Sequence, residues 1–136
     1  MATTTPVQDI SGYSQPVAIL TATVASNGAD TLYQPVFRAQ NDGFVRAIYW
    51  TVSASQNTDA TNYRTIKVIN LGAAGAGTTI VGSLALSATK AANIPHAITL
   101  TSGTGVSAGD LLAYFTTSNG SGVAVNAGHL QVTLMA

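Results

Sequence analysis

Two histidines, His96 and His129, and five aspartates, Asp9, Asp30, Asp42, Asp59 and Asp110, carry the imidazole and carboxylate chemistry of this 136-residue chain. Cysteine and glutamate are absent. A catalytic pair needs a nucleophile beside a base, and a metal centre needs several converging ligands. His129 falls on the outward face of an alternating run, and His96 follows Pro95 at a strand entrance. All five aspartates lie at turns or strand edges, where the carboxylate hydrogen-bonds turn backbone. The oxygen-rich segment from Gln56 to Asn62 lacks the carboxylate count and spacing of a calcium loop and reads as an Asx-stabilised turn. Gly72 to Thr79 is glycine-rich, but no lysine and no helix pattern follow, so a phosphate loop is excluded. Asn119-Gly120-Ser121 is formally a glycosylation sequon and is expected to be a hairpin turn. No acid–base or nucleophile pair can be assembled. The chain reads as a non-enzyme with no cofactor and no metal.

The elements that would position any site come from a composition of small side chains. Ala, Thr, Gly and Ser number 22, 19, 13 and 11, and only ten residues are charged, five Lys/Arg against five Asp. At 7% the charged fraction is far below the roughly 25% of soluble domains, and mean hydropathy is +0.30. Five scattered cations cannot build the basic patch that nucleic acid requires. No apolar run approaches the length of a membrane span, and the N-terminal residues lack the basic and apolar regions of a secretion signal. The protein is therefore expected to leave its cell by lysis or to stay inside. Monomers usually stay soluble through mixed surface charge. Here Thr, Ser and Asn must carry that role, or partner subunits must cover part of the surface.

Residues 1–16 form a Thr/Pro-rich arm without periodicity, and residues 17–136 a single domain of short β-type runs. The runs are Val17–Val24, Leu32–Arg38, Phe44–Ala54, Tyr63–Leu71, Thr78–Leu86, His96–Thr101, Asp110–Thr117 and Val123–Met135, the last breaking near Asn126–Gly128. Turn formers such as Asn41-Asp42-Gly43 separate them. The one helix candidate, Ser87–Ala92, is too short to stand alone. Eight such runs predict an all-β, eight-stranded antiparallel β-sandwich, with the jelly roll as the expected member. An immunoglobulin-like sandwich is the second choice and lacks its Cys–Trp–Cys signature. In the terminal run, Leu130, Val132 and Leu134 should point inward and His129, Gln131 and Thr133 outward.

Period-two reading of Phe44–Ala54 places Phe44, Arg46, Ile48, Trp50 and Val52 on one face and Val45, Ala47, Tyr49 and Thr51 on the other. Arg46 among core residues must snorkel out or meet a partner. Of the neighbours Tyr49 and Trp50, one belongs to the core and the other to an interface or a sugar-binding surface. In the arm, Val7, Ile10 and Tyr13 recur at intervals of three and are the expected anchors to a partner. The candidate assembly contacts are thus Val7, Ile10, Tyr13, Arg46, Tyr49 and Trp50.

Several stretches together resemble a group of small tailed-bacteriophage virion proteins, the capsid decoration or cement proteins of the jelly-roll type. They are Gly43-Phe44-Val45-Arg46, Asp59-Ala60-Thr61-Asn62-Tyr63-Arg64-Thr65-Ile66, Val68-Ile69-Asn70-Leu71-Gly72-Ala73 and Val106-Ser107-Ala108-Gly109-Asp110-Leu111-Leu112. The resemblance covers roughly residues 40–136. It implies a non-enzymatic structural protein that sits as a homotrimer on the outer capsid surface and bridges major capsid subunits. The alternative is a carbohydrate- or receptor-binding β-sandwich module of a phage tail, fibre or spike.

Overall fold

Runs of β-branched and aromatic residues between Gly, Asn and Asp turns favour pleated, half-buried strands, and strands are what the chain forms. The computed structural model describes residues 16–135. Among them are ten strands and no helix: β1 (Pro16–Val24), β2 (Gln34–Arg38), β3 (Gly43–Val52), β4 (Tyr63–Asn70), β5 (Thr79–Ala85), β6 (His96–Ala97), β7 (Thr99–Leu100), β8 (Gly105–Val106), β9 (Leu111–Asn119) and β10 (Gly128–Met135). The first described strand starts at the first described residue, Pro16. The arm and its anchors Val7, Ile10 and Tyr13 lie outside the described residues.

The strands make two antiparallel sheets. One has the order β1-β10-β3-β6, with β8 also on β3; the other is β2-β9-β4-β5-β7. Four of the pairings, β1/β10, β2/β9, β3 with β6 and β8, and β4/β5, join chain segments that are nested in sequence. They are the rungs of one long hairpin ribbon whose tip is the glycine-rich turn at 71–78. Between the sheets lies one core of Val24, Phe37, Val45, Ile48, Trp50, Val52, Ile66, Val68, Leu112, Tyr114, Leu130 and Val132, with further apolar residues around them.

Two expectations need correction. First, the run His96–Thr101 is not one strand. β6 pairs with β3 at Tyr49 and Trp50, β7 crosses to pair with β5 at Gly82 and Ser83, and β8 returns to β3 at Gly43 and Phe44. This segment laces the two sheets together along one side, with the Ile98 N–H donating to the Ile48 carbonyl (2.9 Å) and Thr101 N–H to Val81 (2.9 Å). Ser87–Ala92, too short to stand as a helix, is a loop in which Lys90 exchanges two backbone hydrogen bonds with Gln56 (2.9 and 3.0 Å). Second, the faces of β3 do not alternate straight through. The pairing runs Thr133↔Ala47 and then Leu134↔Val45, so Arg46 is an extra residue in a β-bulge. The bulge reverses the phase. Val45 is buried at 2%, while Phe44 and Arg46 are exposed. Arg46 therefore does not share the core face with Ile48 and Trp50. β10 alternates as read, with Leu130, Val132 and Leu134 buried.

Where β10 begins, Gly128 lies against β3. A Cβ there would overlap the Thr51 carbonyl oxygen and sit 3.2 Å from Trp50 Nε1, whereas a Cβ on Gly105 would meet nothing within 4 Å. Gly128→Ala should therefore lower stability by about 1–3 kcal/mol, the usual range for overpacking. Gly105→Ala should change it little. Urea denaturation of the two variants side by side checks this.

Candidate functional site

The outward face of the first sheet is built by cross-strand rows. Ile19, Thr133 and Ala47 form one row; Thr21, Gln131, Tyr49 and Ala97 the next; Thr23, His129 and Thr51 the third. None of these ten side chains is formally charged at neutral pH. Ile19 is 60% exposed and Tyr49 39%. Beyond the bulge, exposed Phe44 and Arg46 turn to the same side, so the rim carries the face's formal charge. β-branched Thr suits a pleated surface and needs no ionised group to stay hydrated. The result is a sheet face with apolar points and few charges.

Scaffolding for this face comes from buried polar ties at one end of the sandwich. Arg64 shares the inward parity of Ile66 and Val68 on β4 and is only 4% exposed. Its Nε donates to Thr116 Oγ1 (2.7 Å), and Nη2 donates to the Thr116 carbonyl (3.3 Å) and to Asp30. Thr116 Oγ1 in turn donates to Asn27 Oδ1 (3.2 Å), and Asn27 Nδ2 donates to the Leu32 carbonyl (3.0 Å). The β1–β2 loop is thereby drawn over the end of the second sheet. Nearby, Gln56 is 1% exposed; its amide donates to the Ala124 carbonyl (3.0 Å) and accepts the Asn126 N–H (2.7 Å). Asn27 and Val125 also exchange two backbone bonds (2.9 and 2.7 Å). Four loops are stitched at this end.

Asp42, Asp59 and Asp110 bond turn backbone as expected, whereas Asp30 accepts from Ser118 at the end of β9 and from Arg64. Asp59 accepts the N–H groups of Asn62 and Thr61, which hold its carboxyl below the usual range. Asp110 is likewise lowered, by the Asn70 amide and the Ser107 N–H. For Asp30, partial desolvation opposes ionisation. Hydrogen bonds from the Ser118 N–H, Arg64 and the Ser118 hydroxyl outweigh it and lower the pKa. The segment Gln56–Asn62 is held by its own contacts, with Asn62 Oδ1 accepting from the Ser121 N–H (3.0 Å) and hydroxyl (2.8 Å). Asn119 donates to the Thr61 carbonyl (2.9 Å), in a turn where Gly120 and Gly122 both take positive φ. The Tyr114 hydroxyl is sealed in the core, and burial raises its pKa. His96 lies against Trp50 (ring centroids 6.0 Å apart), with Nε2 donating to the Ala91 carbonyl (3.0 Å), while His129 stands on the outward face. Among the described residues, no three His or Asp side chains gather as metal ligands would.

Of the six candidate contacts, the structure places Tyr49 and Arg46 on the outward side of the first sheet. Trp50 is fully buried and is withdrawn as an assembly contact: it is the core member of its pair with Tyr49. Sequence reasoning missed Arg64, Asn27 and Gln56. The parity of Arg64 with Ile66 and Val68 was the available signal. It also missed that the second sheet carries an apolar patch outside the main core. On its outer face Ile69, Ala113 and Phe115 form a small buried cluster, with the Tyr33 ring edge-on to Phe115 at 4.7 Å.

No protein-family model matches this chain, and neither a curated protein nor a solved structure does.

Arg64→Met should destabilise the sandwich by about 2–3 kcal/mol, the range of a lost hydrogen bond to a charged group in a buried setting. Thermal unfolding measures this. Stability should also depend on pH in one direction. Asp30, Asp59 and Asp110 have folded pKa values below the 3.8 of a free aspartate side chain. Their contribution is complete above that value and is lost as pH falls through the lower folded values. Melting temperature should thus be insensitive to these groups from neutral pH to about pH 5 and fall below about pH 4. Loss of stability centred near pH 6 would contradict it.

Proposed function

We propose that this chain is a non-enzymatic virion structural protein that decorates and stabilises a tailed-bacteriophage capsid from its outer surface, as a homotrimer bridging major capsid subunits. The observation that carries the reading is the outward face of the first sheet, with its three uncharged rows and the exposed Ile19 and Tyr49. Such a face suits a protein whose work is to be covered by neighbours. The stitched loops support it as well, because a cement must hold its shape while its lattice is under load. The fold we assign is the jelly roll. The nested rungs β1/β10, β2/β9, β3 with β6 and β8, and β4/β5 are those of a ribbon wound into two four-position sheets, with β7 appended. The resemblance over residues 40–136 points the same way.

The test is binding to purified phage heads stripped of decoration. Saturable binding by the natural sequence is expected, with affinity reduced at least tenfold by Tyr49→Asp, because a charge would be buried without a partner. The same protein should sediment as a trimer. Retention on a glycan array with no binding to heads would overturn the capsid reading in favour of a receptor-binding module.

A further inference from the structure

The two sheets end in four edges, and three of them are blunted. β6 and β8 close one edge of the first sheet and β7 one edge of the second, at two residues each. Backbone bonds from Asn93, Ile98, Thr101 and Thr104 cover β3 and β5 behind them. β2, the other edge of the second sheet, has five residues, with Pro35, Arg38 and a register shift between Pro35 and Phe37. Short length, proline, charge and irregularity keep an edge from pairing with another chain. β1, the fourth edge, lacks them beyond its first residues. It runs for nine residues, carries no charge, and pairs with β10 in unbroken register from Ala18 to Val24.

The strands beside β1 fix where its backbone groups point. The carbonyls of Ile48 and Val52 on β3 accept from Ile98 and Asn93, so these two residues face away from β10. Alternation turns Tyr49 and Thr51 toward β10, where they meet Gln131 and His129. Leu130 and Val132 then face β1 and bond Ala22 and Leu20. The N–H and C=O groups of Ile19, Thr21 and Thr23 are left on the open side. Ala25 keeps the same parity: its N–H donates to Gln34 Oε1 (2.7 Å), and its carbonyl accepts from Gln34 Nε2 (3.1 Å). Among the described residues, nothing pairs with the backbone of the other three on that side.

We propose that the open edge of β1 pairs antiparallel with β1 of a second copy, across a two-fold axis at Thr21. Ile19 then lies opposite Thr23 and Thr21 opposite Thr21, and each pair exchanges two backbone bonds. The side chains of these residues already share the outward face, so the pairing also sets Ile19 beside Thr23 and Thr21 beside Thr21, cross-strand neighbours that a pleated sheet favours. The edge suits its own copy because an uncharged strand meets no like charge across the axis. The first sheets of the two copies become one, and the uncharged rows run across both. Such a contact is isologous, whereas the contacts of a trimer are three-fold and heterologous. It therefore goes beyond the proposed trimer and would join two units of whatever size. Three residue pairs make a small contact, so the pairing belongs to concentrated solution or to a crowded surface.

Sedimentation equilibrium of the full chain, Thr21→Ala and Thr21→Pro, from dilute to concentrated solution, tests the pairing. Thr21→Pro removes only an N–H that faces the open side, which an edge strand tolerates; Thr21→Ala keeps that N–H. The mass of the full chain and of Thr21→Ala should rise toward twice the dilute value, and that of Thr21→Pro should stay constant. The doubling is expected whether the dilute unit is a monomer or a trimer, so its failure and the failure of the trimer are read separately. No doubling in the full chain overturns the proposal, and so does equal doubling in Thr21→Pro, which would place the contact elsewhere. A second measurement needs no substitution and decides the matter if Thr21→Pro does not fold. Amide exchange of the full chain, read residue by residue, should slow several-fold at Ile19, Thr21 and Thr23 as concentration rises, while Leu20 and Ala22 stay protected throughout. Exchange at the three that does not change with concentration overturns the proposal: fast exchange leaves the edge open, and slow exchange assigns it to a segment of the same chain.

Discussion

A guanidinium faces inward at the end of β4, and the loops at that end of the sandwich are arranged around it. An unpaired cation in such a position would be prohibitive. Arg64 is answered by Thr116 on the neighbouring strand and by Asp30 from a loop 34 residues earlier. Asp30 also accepts from the Ser118 N–H (3.0 Å) and hydroxyl (3.2 Å), so it fastens the β1–β2 loop to β9 as well as to β4. Through Thr116 the network continues to Asn27, which pairs with Val125 in the β9–β10 loop. Hydrophobic burial alone is non-directional. These bonds are directional, and they set where each loop lies over the open core.

A different device shapes the sheet itself. Each sheet takes its face from period-two alternation, and one extra residue reverses it. The bulge at Arg46 lets β3 bury Val45 near one end and Ile48, Trp50 and Val52 further along, while both Phe44 and Arg46 turn outward. Without the bulge, an arginine and a valine would exchange faces. The same device recurs where Val68↔Gly82 gives way to Ile69↔Ile80, leaving Val81 as the extra residue. Val81 is fully buried there.

These devices explain what could be read in the sequence. β10 was legible from Gly128 to Leu134, because over that stretch parity alone assigns each side chain. β3 was legible as a strand but not in its faces, since the bulge is fixed by pairing with Thr133 and Leu134, some 87 residues away. β6, β7 and β8 are two residues each, too short for any pattern, and their sheet membership is decided by what lies beside them. Tyr49 and Arg46 were legible as surface candidates; Trp50 and Tyr49 could be separated only by knowing which side held the core. Arg64 was hidden because its partners are distant in sequence. The aspartates were the most legible polar residues, because most of their turn bonds are local.

The scarcity of charge has a consequence for how the outward face would recognise a partner. Charged rims steer association and fix register by repelling wrong alignments. The rows from Ile19 to Thr51 hold no formal charge, so a partner sliding along them would meet no electrostatic penalty. Register must then come from shape, from the projecting Tyr49 ring and the Ile19 side chain, and from the single cation at the bulged corner. Arg46 owes its outward position to the bulge. One inserted residue thus removes a charge from the core and places it at the edge of a face whose rows carry no formal charge.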